Sequence, residues 1–294
     1  MKILVTGKNG QLGKSFQKLV NDRKNYDLAH FDYFFVGRNE LDLSSTDSIN
    51  LFFKKNRFDV IINCAAYTKV DEAEDNEAKA NLVNNIALFE IAKIAKSKMR
   101  LIHISTDYVY DGEKAEPYYE TDPPSPINTY GKTKLAGEKS ILSQMSLNAL
   151  IFRSGWIYSE YGNNFVETII NLAKENTHLN IVSDQIGSPT YANDLAKTIL
   201  KIINDENFHD IDFSSKVFNY SNSGGCSWYD FAKEIIKVSK INCKIEPIKT
   251  QDYPLPAKRP KFSILSKKKI KKEYDLEIKH WKDSLKICLE NLEN

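Results

Sequence analysis

Three glycines within seven residues, directly behind the first apolar run, constrain this chain more than any other feature. The run over 2–6 ends in Thr6-Gly7-Lys8-Asn9-Gly10-Gln11-Leu12-Gly13, where a helical pattern opens at once. Gly7 permits the tight turn, Gly10 lets the backbone approach a pyrophosphate, and Gly13 lets the helix pack closely on the strand. The helix then points free N–H groups and the positive end of its dipole at the phosphates. Glycine spacing alone is weak, since an ordinary tight turn also uses glycine. Set between a strand and a helix at the head of a series of βα units, it reads as a dinucleotide-binding loop.

That series is visible in the first half. Strands are expected over 2–6, 34–36, 60–63, 100–105 and 149–153, with helices over 12–21, 46–55, 76–97 and 129–143. Short, nearly uninterrupted apolar strands separated by helices imply a parallel sheet covered on both faces. The fold class that follows is α/β, a Rossmann-type doubly wound parallel sheet with a smaller interleaved C-terminal substrate domain. The second half is less regular, with strand patterns at 180–183 and 217–220 and helical ones at 165–174, 192–203, 228–237 and 283–292. The expected division is 1–155 for the NAD(P)-binding domain and 156–294 mainly for substrate. Elements near 193–201 and 217–221 are expected to return to the first domain.

Composition removes whole classes. The 294 residues carry 41 Lys plus Arg against 39 Asp plus Glu, a net charge of +2, which gives no field suited to nucleic acid or an anionic membrane. Met1-Lys2 leads into only three apolar residues, too short for a signal peptide or a span. Cys64, Cys226, Cys243 and Cys288 lack paired spacing, so they read as free thiols of a cytoplasmic protein rather than disulfides or zinc ligands. The histidines His30, His103, His178, His209 and His280 lack metal spacing too, and His103, inside a strand, reads as a satisfied core residue. The basic run 267–272 reads as a solvated helix face, because Glu273, Asp275 and Glu277 follow at once.

The sharpest chemical signal is Tyr130-Gly131-Lys132-Thr133-Lys134. Residues four apart on a helix share a face. A free phenol ionises near pH ~10 and is a poor acid–base catalyst at neutral pH. A nearby ammonium lowers that value, so Tyr130 paired with Lys134 can exchange a proton with a sugar oxygen. Lys134 also suits the hydroxyls of a nicotinamide ribose. Ser105-Thr106, at the expected end of a strand, supplies a hydroxyl to orient a substrate carbonyl. Behind strand 34–36 the chain continues Gly37-Arg38-Asn39, without the carboxylate that would bind the ribose 2′-hydroxyl of NAD. Arg38 suits a 2′-phosphate, which favours NADPH with NADH as the alternative; stacking on adenine or pointing to water are the other places for its side chain.

With these residues in place, the chain resembles the extended short-chain dehydrogenase/reductases and, within them, the dTDP-4-dehydrorhamnose reductases. The resemblance runs almost end to end: Gly7 to Gly13, Asn63-Cys64-Ala65-Ala66-Tyr67-Thr68, Ser105-Thr106-Asp107-Tyr108-Val109-Tyr110, and Asn128 on to Lys139. It continues through Arg153 to Tyr158, Gly162-Asn163-Asn164-Phe165, Asp184-Gln185-Ile186-Gly187-Ser188-Pro189-Thr190 and Arg259-Pro260. The resemblance implies hydride transfer from NAD(P)H to the C4 keto carbon of a dTDP-linked 6-deoxy sugar, in nucleotide-sugar and cell-surface polysaccharide biosynthesis. Tyr130 would donate the proton, Thr106 would assist, and Lys134 would hold phenolate and ribose. Gly10, Gln11 and Leu12 would line the pyrophosphate, and Asp42-Leu43 would flank the adenine. Ala65, Ala66 and Tyr67 would lie beside ribose and phosphates, with Asp107 and Trp156 on the sugar nucleotide. Trp156 offers a flat wall for a deoxy sugar and serves equally as core filler.

Some members of that family hold magnesium at a dimer interface through glutamates. Lys14-Ser15 and Asn193 stand in that neighbourhood here, so no metal site is expected, and the mode of any homodimer stays open. Two other functions compete. One is another nucleotide-sugar reductase, epimerase or dehydratase of the same superfamily, although Tyr108 is not the second carboxylate a dehydratase carries. The other is a non-catalytic regulatory subunit resembling the beta subunit of methionine adenosyltransferase, which would not need to keep Thr106, Tyr130 and Lys134.

Overall fold

In this computed structural model, residues 1–22, 31–96, 98–205, 208–209 and 212–293 are described. His30 and Ser97, the expected end of the third helix, lie outside them. Short, nearly uninterrupted apolar runs form the first layer. Strands β1 (Lys2–Thr6), β2 (Asp32–Val36), β3 (Val60–Asn63), β4 (Arg100–Thr106), β5 (Ala149–Ser154) and, much later, β10 (Lys216–Asn219) form one all-parallel sheet in the order β10-β5-β4-β3-β1-β2. Alternate residues sort to opposite faces, as the pleat requires. Ile3, Val5, Val60, Ile62, Ile102 and Leu150 join one core cluster, while Leu4, Ile61, Leu101 and Ile151 join another.

Helices cover both faces. On the first lie α1 (Gln11–Asn21) and α8 (Ala192–Ile203), packed on each other. On the second lie α2 (Thr46–Lys55), α5 (Ala87–Ala95) and α6 (Thr129–Gln144). The chain reverses direction across the sheet between β1 and β3, the switch point where such sheets open a crevice at their carboxyl ends. The single helix expected over 76–97 is instead broken. Short α3 (Glu72–Asp75) and α4 (Glu77–Asn81) precede a π-turn, Leu82–Ile86, which leads into α5. Asn84 in that turn is buried, with its amide bonded to the backbone N–H and C=O of Tyr67 and to Thr133. Its side chain thus ties helix to cleft wall, and π-turns are found at such functional places.

A third apolar cluster forms around α7 (Phe165–Glu175), α9 (Trp228–Val238) and the terminal α11 (Trp281–Glu293), including Tyr158, Phe231, Trp281 and Leu285. Short strands stitch it together. β6 (Ile157–Tyr158) pairs with β9 (Thr190–Tyr191), β7 (His178–Val182) with β12 (Lys244–Ile248), and β8 (Ile186–Gly187) with β11 (Cys226–Ser227). The basic run lies on the helix α10 (Lys268–Tyr274), where Lys268, Lys269 and Lys272 are exposed. No described helix is long and apolar enough to cross a membrane.

The turn after β1 is the tightest piece. Gly7 has φ +70°, and a Cβ there would lie 2.9 Å from the Ala65 nitrogen; a Cβ on Gly13 would lie 2.3 Å from the Gly7 carbonyl oxygen. Gly13→Ala therefore forces helix α1 off the turn and is expected to cost about 1–3 kcal/mol of stability. Urea denaturation checks it, and unchanged stability would refute the packing argument.

Candidate active site

The crevice at the switch point is a cleft of about 770 Å³. Gly7, Gly10, Gln11 and Leu12 line one end, Arg38, Asp42 and Leu43 its rim, and Ala65, Ala66 and Tyr67 the wall after β3. Thr106, Asp107, Tyr130, Lys134 and Trp156 line the other end. Of the residues singled out from sequence, only Gly13 stays out of the cleft, behind the turn it packs against.

The glycine end is built for an anion. Helix α1 starts at Gly10 with no side-chain cap and no acidic residue in its first turn, so nothing from the chain's own side chains competes for its free N–H groups. Gln11 ties this end to the second half by donating to the Ile157 carbonyl at 3.2 Å and accepting from Ser159 at 3.0 Å. Arg38 stands at the rim with its side chain 70% exposed, 3.5 Å from Asp42 and 3.5 Å from Ser44 Oγ. Hydrogen bonds from Ser44, with Arg38 adding to them, hold the Asp42 carboxyl below its ordinary range. Arg38 thus has a resting partner and an open face to solvent.

At the other end, Asn128 caps α6 by accepting from the Gly131 N–H at 2.7 Å, which sets Tyr130 in the first turn facing the end of β4. Tyr130 lines the same wall as Thr106, and its ring meets Tyr108 edge-on at 6.0 Å and 80°. Thr106 Oγ1 accepts from the Tyr108 N–H at 3.2 Å and donates to Asp107 at 3.1 Å. Burial pushes the Tyr130 phenol up to about 12, against the pull of Thr106. Lys134 is 1% exposed, and its Nζ donates to the Ile104 carbonyl at 2.6 Å and lies 3.2 Å from His103 Nε2. Burial brings it down to about 8, opposed by Glu138 one turn further on. Here the structure corrects the sequence expectation. In the resting site the ammonium is turned to β4 and does not hold the phenol down, so desolvation decides and Tyr130 stays protonated at neutral pH.

Beneath these groups Glu138 and Arg153 form a buried, two-pronged ion pair, with Nε to Oε1 at 3.0 Å and Nη2 to Oε2 at 2.6 Å. Ser105 donates to Glu138, and Arg153 donates to Tyr110 at 2.7 Å. Ser105, half of the strand-end hydroxyl pair, is thus spent on the framework, which leaves Thr106 as the hydroxyl available beside Tyr130.

Trp156 takes a left-handed backbone, φ +51°, rare for a bulky residue and typical of sites held against strain. Its ring stacks on Trp228 at 3.4 Å and 6°, with Phe165 behind Trp228 at 4.5 Å. Trp156 thus lines the cleft while packing against the apolar cluster of the second half. Trp228 was not singled out from the sequence. The available signal was the capping pair Ser227 and Asp230, which starts α9 and places Trp228 at its first position.

The whole chain, residues 1–294, matches the family model of the RmlD substrate binding domain. A dTDP-4-dehydrorhamnose reductase from Aggregatibacter actinomycetemcomitans is 37% identical over 296 residues, covering 97% of this chain and 97% of its own. The crystal structure of a dTDP-4-dehydrorhamnose reductase from Clostridium acetobutylicum superposes with a TM-score of 0.91 at 40% identity, covering 100% of both chains. That of the Bacillus anthracis enzyme, in complex with NADP, gives 0.90 at 34% identity over 99% of each chain.

Burial also pushes the Asp107 carboxyl up to about 6, while hydrogen bonds from Ser263 and Thr106 pull the other way. A carbon-detected NMR titration of the aspartate carboxyls is expected to show one signal titrating near pH 6 that vanishes in Asp107→Asn. A value in the ordinary carboxylate range of about 4 would contradict the desolvated placement.

Proposed function

The chain belongs to the RmlD substrate binding domain family, and on that premise we propose that it reduces the C4 keto group of dTDP-4-dehydro-6-deoxy-L-mannose with NADPH, giving dTDP-L-rhamnose. The observation that carries the proposal is the meeting of Thr106, Tyr130 and Lys134 in one cleft that begins at the glycine turn. The names of the relatives support the substrate, and the NADP complex of the Bacillus anthracis enzyme supports the cofactor. The intact trio favours catalysis over a regulatory subunit.

The residues present fit a dinucleotide. The uncapped end of α1, the bare backbone at Gly10 and the open rim at Arg38 would take pyrophosphate, backbone contact and 2′-phosphate in turn. When bound, NADPH supplies the hydride. Every other part falls to the protein. Tyr130, kept protonated by burial, gives its proton to the oxygen at C4, and Thr106 steadies the phenol and the carbonyl it faces. The phenolate left behind is stabilised by Thr106 and by Lys134 in its charged form. Asp107 accepts from a sugar hydroxyl when ionised, and Trp156, stiffened by Trp228, offers a flat apolar face to the deoxy sugar. The proposal assigns cofactor to 1–155 with α8 and β10, and substrate mainly to 156–294. It puts the protein in the cytoplasm and gives nucleic acid and membrane no part, in line with the net charge of +2.

Tyr130→Phe is the test. NADPH consumption with dTDP-4-dehydro-L-rhamnose is expected to fall by about 10²–10⁴-fold, while NADPH affinity, followed by fluorescence, stays near that of the parent. Turnover within a few-fold of the parent would remove Tyr130 as proton donor.

A further inference from the structure

One buried polar chain passes beneath the site from the glycine turn to the catalytic helix. Thr6, Asn63, His103 and Lys134, on β1, β3, β4 and α6, are each 1% exposed. Thr6 Oγ1 accepts from the Ala65 N–H at 3.3 Å and gives its own proton to Asn63 Oδ1 at 2.6 Å. Asn63 Nδ2 donates to the Ala65 carbonyl at 3.2 Å and lies 3.0 Å from His103 Nδ1. Because a carbonyl oxygen only accepts, the nitrogen end of the Asn63 amide is fixed, and His103 Nδ1 must be the acceptor of its second proton. A neutral imidazole with Nδ1 accepting carries its proton on Nε2. That nitrogen is 3.2 Å from Lys134 Nζ. An ammonium has three donors and no acceptor, so a charged Lys134 would meet Nε2–H donor to donor, whereas the neutral amine has a lone pair for it.

We infer that His103 is a positioning residue for the reductase site: held as the Nε2–H tautomer by Asn63, it donates to the neutral form of Lys134 and so makes the ammonium lose its proton more readily than an ordinary amine. This deepens the reading of Tyr130 and Lys134 given above and rests on it for its catalytic meaning. Burial and the neighbouring Lys134 drive the His103 imidazole well below its ordinary value, so it stays neutral. The other titratable groups around Lys134 do not account for a proton that is lost more readily. Glu138, on the same helix, favours the charged form, although Arg153 from β5 compensates it. Asp107 at the end of β4 is pushed up by burial, as are Tyr130 and the Cys64 thiol after β3. The consequence is a lysine that holds its proton less firmly than an ordinary amine until a new acceptor enters the cleft. Its charge is then coupled, through Asn63 and Thr6, to the backbone that lines the cofactor end.

NMR on the protein alone tests this without substrate, so failure of the reductase assignment leaves the result unaffected. In protein labelled with ¹⁵N and ¹³C at histidine and lysine, His103 is expected as the Nε2–H tautomer, and Lys134 is expected to titrate near 8. Asn63→Asp replaces the donor by an acceptor. It is expected to switch His103 to Nδ1–H and raise the Lys134 midpoint by about one pH unit or more. His103→Gln, uncharged and able to turn its oxygen to Lys134, is expected to raise the midpoint in the same sense and serves if the aspartate variant does not fold. Because Lys134 acts on the phenolate in its charged form, the pH at which turnover is lost on the alkaline side is expected to move up with its midpoint in either variant. An Nδ1–H tautomer in the parent, or a Lys134 midpoint unmoved in the folded variants, overturns the inference.

Discussion

Two charged side chains one turn apart on α6, Lys134 and Glu138, are buried against the carboxyl ends of β4 and β5, and the rest of the molecule is arranged to tolerate that. Each is 1% exposed. Glu138 is matched by the guanidinium of Arg153 in a two-pronged pair and by the Ser105 hydroxyl, whereas Lys134 is answered by a backbone carbonyl and an imidazole. Removing one partner of such a buried pair typically costs about 3–5 kcal/mol. The pair therefore fixes α6 on the sheet, and fixing α6 is what holds Tyr130 at Thr106.

The same placement sets the chemistry. A cleft walled by packed strand ends and aromatic rings removes water from every titratable group at its catalytic end. Desolvation lifts Tyr130 and Asp107 and lowers Lys134, so that each stands on the neutral side of its usual behaviour. A protonated phenol suits proton donation to a developing alkoxide. The uncapped start of α1 over the glycine turn sits at the other end, so the desolvated titratable groups and the free helix N–H groups occupy opposite ends of one crevice.

Much of this was legible in the residues, because the signals were local. The βα alternation reads directly from short, nearly uninterrupted apolar runs between helical patterns, and the glycine turn, Tyr130, Lys134 and Thr106 lie where their spacing placed them. The readings that failed involve contacts remote in sequence. The helix over 76–97 breaks at a π-turn because Asn84 binds the backbone of Tyr67, which no helical periodicity encodes. Strands of two residues, such as β6 and β9, have no pattern to detect. Trp228 enters the cleft only by stacking on Trp156, 72 positions earlier. His103 was read as a satisfied core histidine. It is satisfied, but its partners are Asn63 and the catalytic lysine, and that distinction needed coordinates.

The central claim is that reduced cofactor and keto sugar meet at Tyr130 to make one specific product. Incubating the protein with dTDP-4-dehydro-L-rhamnose and NADPH deuterated at its transferable position, then reading the product by NMR, tests it most directly. The account predicts dTDP-L-rhamnose with deuterium at C4 of the sugar, and none in the Tyr130→Phe variant over the same time. Recovery of unreduced sugar from the parent protein, or deuterium in a C4 epimer of rhamnose, would contradict it.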